Sequence, residues 1–301
     1  MRIFSIDSTS KTLSVAVSDG DKILSFLKNN KSTTYMVNII KYIDKALNES
    51  GLEIKDIDIF AVNLGPGDFT GGRIGISIIK TFSFLSKKPV YGFNSLDVFA
   101  LGFLLKNIEK INKVLERGNK AFIVPLMDVR NKELYFSIYE AKRVLKKNIN
   151  NKNLKVYEKL IFSFVKNDYF YLLQKTFDNT LLNQDNFLDG FFSIVNRVRC
   201  LTNTTTCAPS LENNEKFQKQ TSIFYLTGNA FKTFEEQLSE LKEALTKKEG
   251  AIKIKVDKFN YYPEARFLNL LANFKYENKI PSLPIIPIYV RDFIPFSKEK
   301  K

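Results

Sequence analysis

The stretch that decides the fold is GPGDFTGGRIG, Gly65 to Gly75. It follows a run of apolar and β-branched residues, 57–64, that predicts a buried strand, and it opens an apolar segment that predicts a helix to about Ser86. Glycines permit a tight backbone turn, and the free amides at a helix start attract anions. The stretch therefore predicts a strand–loop–helix junction in an α/β protein. It is either a phosphate cradle or a tight turn that packs the helix on the sheet.

Two features of this junction count against tight phosphate binding. The loop lacks the Gly-Lys-Ser/Thr ending of a Walker A loop, and its glycines do not have the dinucleotide-binding spacing. Asp68 adds a negative charge to the loop. A second candidate position is Asp7, which ends the predicted strand 2–7 and precedes two hydroxyl side chains. It could hold magnesium near a phosphate, or it could form an Asx turn that supports a hairpin.

The elements around the junction predict two lobes. Three strands (2–7, 12–18 and 22–28) form a meander, and helices and strands then alternate to residue 106, which predicts a mixed sheet with flanking helices. Strands at 121–127, 133–140 and 222–227 and helices at 231–245 and 264–274 predict a second unit. The Asn-, Lys- and Phe-rich stretch 142–221 reads as a partly ordered insertion, and the proline-rich end as an extended tail. We expect an N-terminal lobe at 1–106, a C-terminal lobe with the insertion at 107–262, and a helix and tail that pack back on the lobes at 263–301.

Composition excludes several kinds of chemistry. The 301 residues contain no histidine, which rules out Ser-His-Asp and Cys-His catalysis and His-ligated metals. Cys200 and Cys207 lack the partners of a zinc site and read as two reduced thiols. The net charge of +14 fits either an RNA or acidic-protein partner or a general bias toward lysine and asparagine. Because no apolar run is long enough to span a membrane and an acid interrupts the N-terminal apolar residues, we expect a cytoplasmic protein.

Two helices of the first lobe carry more apolar residues than one core-facing stripe needs. The helix at 34–49 has a stripe that Tyr35, Tyr42 and Ala46 widen, and the helix that follows the junction is apolar almost all round. The first helix is either deeply buried or has one face on the core and another on a partner. The second must be covered on more than one side.

A series of motifs resembles the TsaB (YeaZ) family, which provides a subunit of the bacterial machinery that makes N6-threonylcarbamoyladenosine in tRNA. The pieces occur in the family's order over nearly the whole chain apart from the insertion, and the run at 65–75 is the most specific of them. They are Ile6-Asp7-Ser8-Thr9-Ser10, Asn63 to Gly75, Asn94-Ser95-Leu96, Met127 to Tyr135, Leu226-Thr227-Gly228-Asn229-Ala230, Tyr262-Pro263-Glu264-Ala265-Arg266 and Pro287 to Asp292.

The resemblance implies the two-lobed actin-like ATPase (ASKHA, RNase H-like) fold, with mixed five-stranded sheets and flanking helices. It implies a non-catalytic scaffold with no catalytic residue, no metal ligand and no cofactor beyond weak ATP and magnesium binding. The residues that would correspond to nucleotide loops are Asp7, Ser8, Thr9, Gly65, Gly67, Thr70 and Gly228. The chain departs from the family at Asp68 and at Gly72, which stands for an apolar residue and loosens the helix start by ~1 kcal/mol.

The resemblance also implies partners. A TsaD-like catalytic subunit would pair with the first two long helices, a TsaE-like ATPase would join that pair, and a second copy could use the same surface as a homodimer. The tRNA would be reached through the complex, with no membrane partner. The predicted interface residues are Tyr35, Met36, Ile39, Tyr42, Ile43, Ala46, Arg73, Ile74, Ile78 and Phe82. The alternative is an active ATPase or small-molecule kinase of the same fold that uses Asp7 and the loop Gly65–Gly75.

Overall fold

The junction lies where strand β4 (Ile59–Gly65) meets helix α2 (Phe69–Ser86), as predicted. The computed structural model describes residues 1–29, 38–129, 132–145, 160–166, 169–202, 221–231, 233–247, 252–260 and 262–289. Within these residues, no helix is both long enough and apolar enough to cross a bilayer.

The first lobe is built on a five-stranded mixed sheet in the order β3-β2-β1-β4-β5. The meander is antiparallel, whereas β4 and β5 add in parallel beside β1. Its other strands are β1 (Arg2–Asp7), β2 (Leu13–Asp19), β3 (Lys22–Asn29) and β5 (Val90–Asn94). The predicted mixed sheet is therefore confirmed.

Helices cover both faces of this sheet. On one face lie α2 and α1 (Ile39–Ser50), which ends at Gly51 in the left-handed conformation that favours glycine. On the other face lie α3 (Ser95–Lys106) and α7 (Ala265–Glu277). The predicted start of the first helix, near residue 34, lies outside the described residues.

The second lobe is a six-stranded sheet in the order β11-β10-β6-β7-β9-β8, so the expectation of five strands is wrong for this lobe. Its strands are β6 (Lys120–Asp128), β7 (Glu133–Leu145), β8 (Leu160–Lys166), β9 (Tyr169–Asn183), β10 (Ser222–Gly228) and β11 (Ile252–Asn260). Its helices are α4 (Ile108–Glu116), α5 (Phe187–Thr202) and α6 (Glu235–Lys247).

The stretch interpreted as a partly ordered insertion supplies much of this lobe. Strand β9 pairs with β7 over most of its length, and β8 adds at the outer edge. Helix α5 buries Phe187, Phe191 and Val195 in the outer core. The segment was misjudged because consecutive residues of β9, such as Leu172 and Leu173, are both buried, which removes the alternation that identifies a strand.

The largest core lies between the two sheets. Helices α3 and α7 fill this layer, and α3 is buried on nearly every side, as its uniformly apolar sequence requires. From the end of α7 the chain turns back along the first lobe. There the Ser282 hydroxyl accepts from the Gly92 amide at 3.0 Å, and the Ile288 amide donates to the Leu64 carbonyl at 2.8 Å.

Candidate functional site

Asp7 is fully buried, and its carboxylate is occupied by neighbouring donors. One oxygen accepts from the Thr9 amide at 3.0 Å and from the Thr9 hydroxyl at 2.9 Å, and the other accepts from the Asn63 side-chain amide at 2.8 Å. Burial raises the pKa of this carboxyl above its usual 3.8, and the hydrogen bonds from Asn63 and Thr9 only partly oppose that effect. The bond from the Thr9 amide is the Asx turn that the sequence offered as one alternative.

The loop after Asp7 packs directly on the glycine-rich junction. The Asp68 amide donates to the Thr9 carbonyl at 2.6 Å, and the Ser8 hydroxyl donates to the Gly71 carbonyl at 2.7 Å. A Cβ at Gly67 would overlap with the Thr9 carbonyl, and one at Gly75 would overlap with the Ser8 hydroxyl. Glycine is therefore needed at these two positions because the two loops touch.

Asp68 caps the helix that the junction opens. Its carboxylate accepts from the Gly71 amide at 2.7 Å, and its carbonyl accepts from the Gly72 amide at 2.9 Å. A side-chain carboxylate at the N-terminus of a helix accepts hydrogen bonds from the backbone amides that a bound anion would otherwise use. The Asp68 carboxylate thus offsets the positive end of α2. Thr70, in the first turn of the helix, is exposed.

The Asn63 side chain forms hydrogen bonds beneath the junction that hold its backbone in place, a role that the sequence analysis did not identify. Its side-chain oxygen accepts from the Gly65 amide at 3.0 Å and lies 3.0 Å from the Ser95 hydroxyl, which in turn donates to the Pro66 carbonyl at 2.7 Å. Gly65 has a φ of 100°, and a Cβ there would lie 3.1 Å from the Ile288 carbonyl oxygen. A polar residue inside an otherwise apolar strand, just before the glycines, was the available signal.

The end of the described chain packs on the first turns of α2. The Arg73 guanidinium stacks 3.8 Å from the Phe69 ring centroid and donates to the Tyr289 hydroxyl at 2.8 Å. The Phe69 and Tyr289 rings are 5.4 Å apart. Arg73 is exposed, as an interface residue would be, but its side chain also holds the tail.

Gly228 lies in the second lobe at the end of β10. Its φ is 125°, and a Cβ there would overlap with the Leu126 carbonyl. The next residue fixes the turn, because the Asn229 side chain accepts from the Asp128 amide at 2.9 Å. The structure thus brings Asp7, Ser8 and Thr9 together with the junction, whereas the close contact of Gly228 is with its own sheet.

The predicted interface stripe on α1 faces the core. Ile39, Ile43 and Ala46 are at most 5% exposed and pack in the apolar cluster under the sheet, so their expected contact with a partner is corrected to a core role. A helix with a single apolar stripe packs that stripe on its own sheet. The sequence pattern of such a stripe is the same as that of a partner-binding stripe, so the sequence could not distinguish the two roles. Tyr42, Ile74, Ile78 and Phe82 are half-buried against the same cluster, and Tyr35 and Met36 lie outside the described residues.

Three apolar side chains of these two helices are more than half exposed. Phe84 is 82% exposed and Leu85 72% exposed at the end of α2, and Ile40 on α1 is 55% exposed. We call these three residues the α1–α2 face. The all-round apolar sequence of α2 was the signal for Phe84 and Leu85.

Metal ligands do not cluster in the part of the chain that the structure describes. No group of three or more His, Cys, Asp or Glu side chains there could hold a metal ion.

Comparison with known proteins identifies the family. A family model described as TsaD, tRNA N6-adenosine threonylcarbamoyltransferase, matches residues 29–187, just over half of the 301-residue chain. The tRNA threonylcarbamoyladenosine biosynthesis protein TsaB of Bacillus subtilis (strain 168) is 27% identical over 149 residues, which are 48% of this chain and 58% of that protein. TsaB of Buchnera aphidicola subsp. Schizaphis graminum is 34% identical over 98 residues, 33% of this chain and 46% of that protein. The chain thus spans about half the length of the curated relatives it matches.

A solved structure matches along nearly the whole chain. YeaZ from Pseudomonas aeruginosa superposes with a TM-score of 0.56 at 14% identity, covering 96% of this chain and 100% of that one. At this identity the likeness shows the fold, and it confirms the two-lobed actin-like architecture. Because the family model covers more than half of the chain, the chain belongs to the TsaD family, and the relatives to which it is similar include proteins named TsaB.

Proposed function

We propose that this chain is a non-catalytic scaffold subunit that binds a TsaD-type catalytic subunit for threonylcarbamoyl transfer to adenosine 37 of tRNA. The observation that carries the proposal is the direct packing of the two loops that would cradle a nucleotide. The Thr9 carbonyl accepts from the Asp68 amide at 2.6 Å, so the loop after Asp7 and the glycine-rich junction are in direct contact. A chain that keeps these loops for architecture has its function at another surface.

That surface is the α1–α2 face. Two adjacent large apolar side chains more than 70% exposed, Phe84 and Leu85, are costly to leave in water and mark a contact site. Both helices belong to the layer on one face of the first sheet. A TsaD-like subunit, which shares this fold in the family, would cover the face with its corresponding helices. A second copy would use it when that partner is absent.

We infer the remaining partners from the resemblance to the TsaB family. A TsaE-like ATPase joins the pair, and the tRNA is held by the complex rather than by this chain alone. ATP and magnesium bind at most weakly, because the carboxylates of Asp7 and Asp68 already accept internal hydrogen bonds.

Co-purification with the TsaD-like protein tests the docking surface. Phe84→Glu and Leu85→Glu place a charge in the contact, and each is expected to weaken the complex at least ~10-fold, equivalent to about 1.4 kcal/mol. Tyr276→Glu is the matched control, since Tyr276 is 49% exposed on α7, which covers the opposite face of the sheet. Unaltered binding in both α2 variants would refute the assigned surface.

Calorimetry with ATP and magnesium separates the scaffold from an active ATPase or kinase. The scaffold is expected to bind more weakly than ~10 µM, near −7 kcal/mol. Tighter binding that is lost in Asp7→Ala would favour the enzyme instead.

A further inference from the structure

A cluster of three cations around one carboxylate lies beside the start of α7, outside the loops described above. Glu264 accepts from the ammonium groups of Lys28 on β3 at 3.1 Å and of Lys106 on α3 at 3.4 Å. Its other oxygen accepts from the Arg266 guanidinium at 2.7 Å. We call Lys28, Lys106, Arg266 and Glu264 the Glu264 cluster.

The geometry of the cluster is fixed by its surroundings. The Ala265 amide donates to the Ser14 hydroxyl at 2.9 Å, and the Ser5 hydroxyl donates to the Ala265 carbonyl at 2.8 Å, so the start of α7 is tied to two strands. The Arg266 guanidinium lies 4.9 Å from the ring centroids of both Phe26 and Phe267. A guanidinium placed between two rings and bonded to a carboxylate keeps its orientation.

The cluster carries more positive charge than its carboxylate neutralises. The Glu264 side chain is only 6% exposed, whereas Lys28, Lys106 and Arg266 are 25%, 31% and 37% exposed. The negative charge is thus inside and the cations reach solvent. Within the cluster, three cations against one carboxylate leave a surplus of two positive charges, and the buried Asp7 is a nearby acid that interacts with Glu264.

Because the cations are partly buried, solvent screens their surplus positive charge less than it would at the surface. Burial lowers the pKa of the Lys106 ammonium, and the neighbouring Arg266 and Lys28 charges lower it further, against the opposing pull of Glu264. An added anion would offset the repulsion among the three cations and favour the charged form of Lys106. The positive end of the α7 dipole points to the same place and adds to the attraction.

We propose that the Glu264 cluster binds a phosphate dianion, either free inorganic phosphate or the terminal group of a phosphate monoester. Lys28 and Lys106 supply charge-assisted hydrogen bonds at the solvent side, while Glu264 and Arg266 hold the framework behind them. A dianion carries two negative charges against the three cations and one carboxylate of the cluster, whereas a phosphodiester in an RNA backbone carries a single charge. The proposal does not depend on docking to a partner, because none of the α1–α2 face takes part in it.

Titration calorimetry of the full chain at constant ionic strength tests the site, with inorganic phosphate, AMP, adenosine, and an RNA oligonucleotide with 5′- and 3′-hydroxyl ends. Inorganic phosphate and AMP are expected to bind with a Kd of about 1 mM or tighter, and adenosine not to bind. Binding of AMP alone would assign the site to phosphate monoesters, and equal binding of both would assign it to phosphate itself. The proposal is overturned if neither phosphate compound binds, or if only the oligonucleotide does.

Variants then locate the binding. Lys28→Met and Lys106→Met keep the aliphatic stems and are expected to weaken phosphate binding about 10-fold each. Lys22→Met, at the exposed start of the same strand as Lys28, is the matched control and should change nothing. Phosphate binding that is unaltered in both cluster variants would refute the site.

A substitution that is expected to strengthen phosphate binding distinguishes a binding site from a purely structural ion pair. Glu264→Gln removes the competing negative charge and is expected to strengthen phosphate binding. If the variant is less stable, phosphate should raise its melting temperature more than that of the unaltered chain. A variant that loses stability and gains no response to phosphate would show a structural ion pair only.

Discussion

At the scale of single residues, the glycines of the junction differ in what surrounds them. Gly75 is packed against the Ser8 side chain, but the nearest atom to a Cβ at Gly72 is the Thr9 methyl group at 3.7 Å, an ordinary contact. We predict that Gly72→Ala raises the free energy of unfolding by about 0.5–1 kcal/mol, because alanine costs less backbone entropy in a helix. Gly75→Ala should lower it, since Ser8 must move. Urea denaturation measures both, and a destabilising Gly72→Ala would contradict the description of this packing.

Individual residues also show where prediction from sequence stops. The junction and Asp7 were identified from residue type and spacing alone, because glycine and capping residues act locally. Lys28 and Lys106 carried no such signal, and Glu264 stood out only as part of the motif 262–266, since the three are far apart in the chain and meet only once α3 and α7 pack on the first sheet. The sequence likewise did not show that the apolar stripe of α1 packs on the core, because that depends on how the helix packs on the sheet.

At the scale of elements, the meander and the crossovers of the first lobe were predictable because turns and caps mark their boundaries. Strand β9 was not predictable, because Tyr171, Leu172 and Leu173 are buried in succession and leave no alternation, and β8 is an edge strand in which, among the described residues, Phe162 alone is buried. Helix α4 is a nine-residue element and was missed because its apolar stripe is brief, with only Ile111 and Val114 buried. Packing against other elements determines whether such strands and short helices form, and the local composition does not reveal which elements they pack against.

The attachment of α7 to the first sheet gives a prediction at this scale. The Ser14 hydroxyl on β2 accepts from the Ala265 amide at 2.9 Å in a buried position. Ser14→Ala leaves that amide without its acceptor, so we predict a loss of about 1–3 kcal/mol in the free energy of unfolding. Ser10→Ala, at a less buried turn in the same lobe, is the control and should cost less. Equal effects would mean that the hydrogen bond does not anchor the helix.

At the scale of the whole molecule, polar contacts centred on Asp97 join the lobes. Asp97, in the first turn of α3, accepts from the Tyr139 hydroxyl at 2.7 Å and from the Lys175 ammonium at 2.7 Å. Both ions of the pair are less than 15% exposed. Asp97→Asn leaves the Lys175 charge largely buried, and we predict a loss of about 3–5 kcal/mol in thermal or urea unfolding. Lys55→Met, which removes a pair that is about 70% exposed, should cost less than ~1 kcal/mol; a comparable loss there would contradict this ranking.

The Glu264 cluster predicts how stability depends on pH. Burial alone would raise the pKa of the Glu264 carboxyl, but the charges of Lys106, Lys28 and Arg266 outweigh it and hold the pKa below 4.5. A carboxyl with a lower pKa in the folded state stabilises the fold above its unfolded pKa, and this contribution is lost as the pH falls from about 4.5 through the folded value. Glu264→Gln should therefore flatten the acid limb of a stability–pH curve measured by chemical denaturation. An unchanged acid limb would refute the ion-pair description.

The position of α7 in the chain has a consequence for synthesis. All five strands of the first sheet lie within the first 94 residues, yet α7, which covers Ile3, Ile59 and Phe93, begins only at Ala265. A nascent chain leaves the ribosome from its N-terminus. The first lobe to emerge is thus the last to gain its full hydrophobic cover, and premature termination just before α7 would expose its sheet on the side that faces the second lobe.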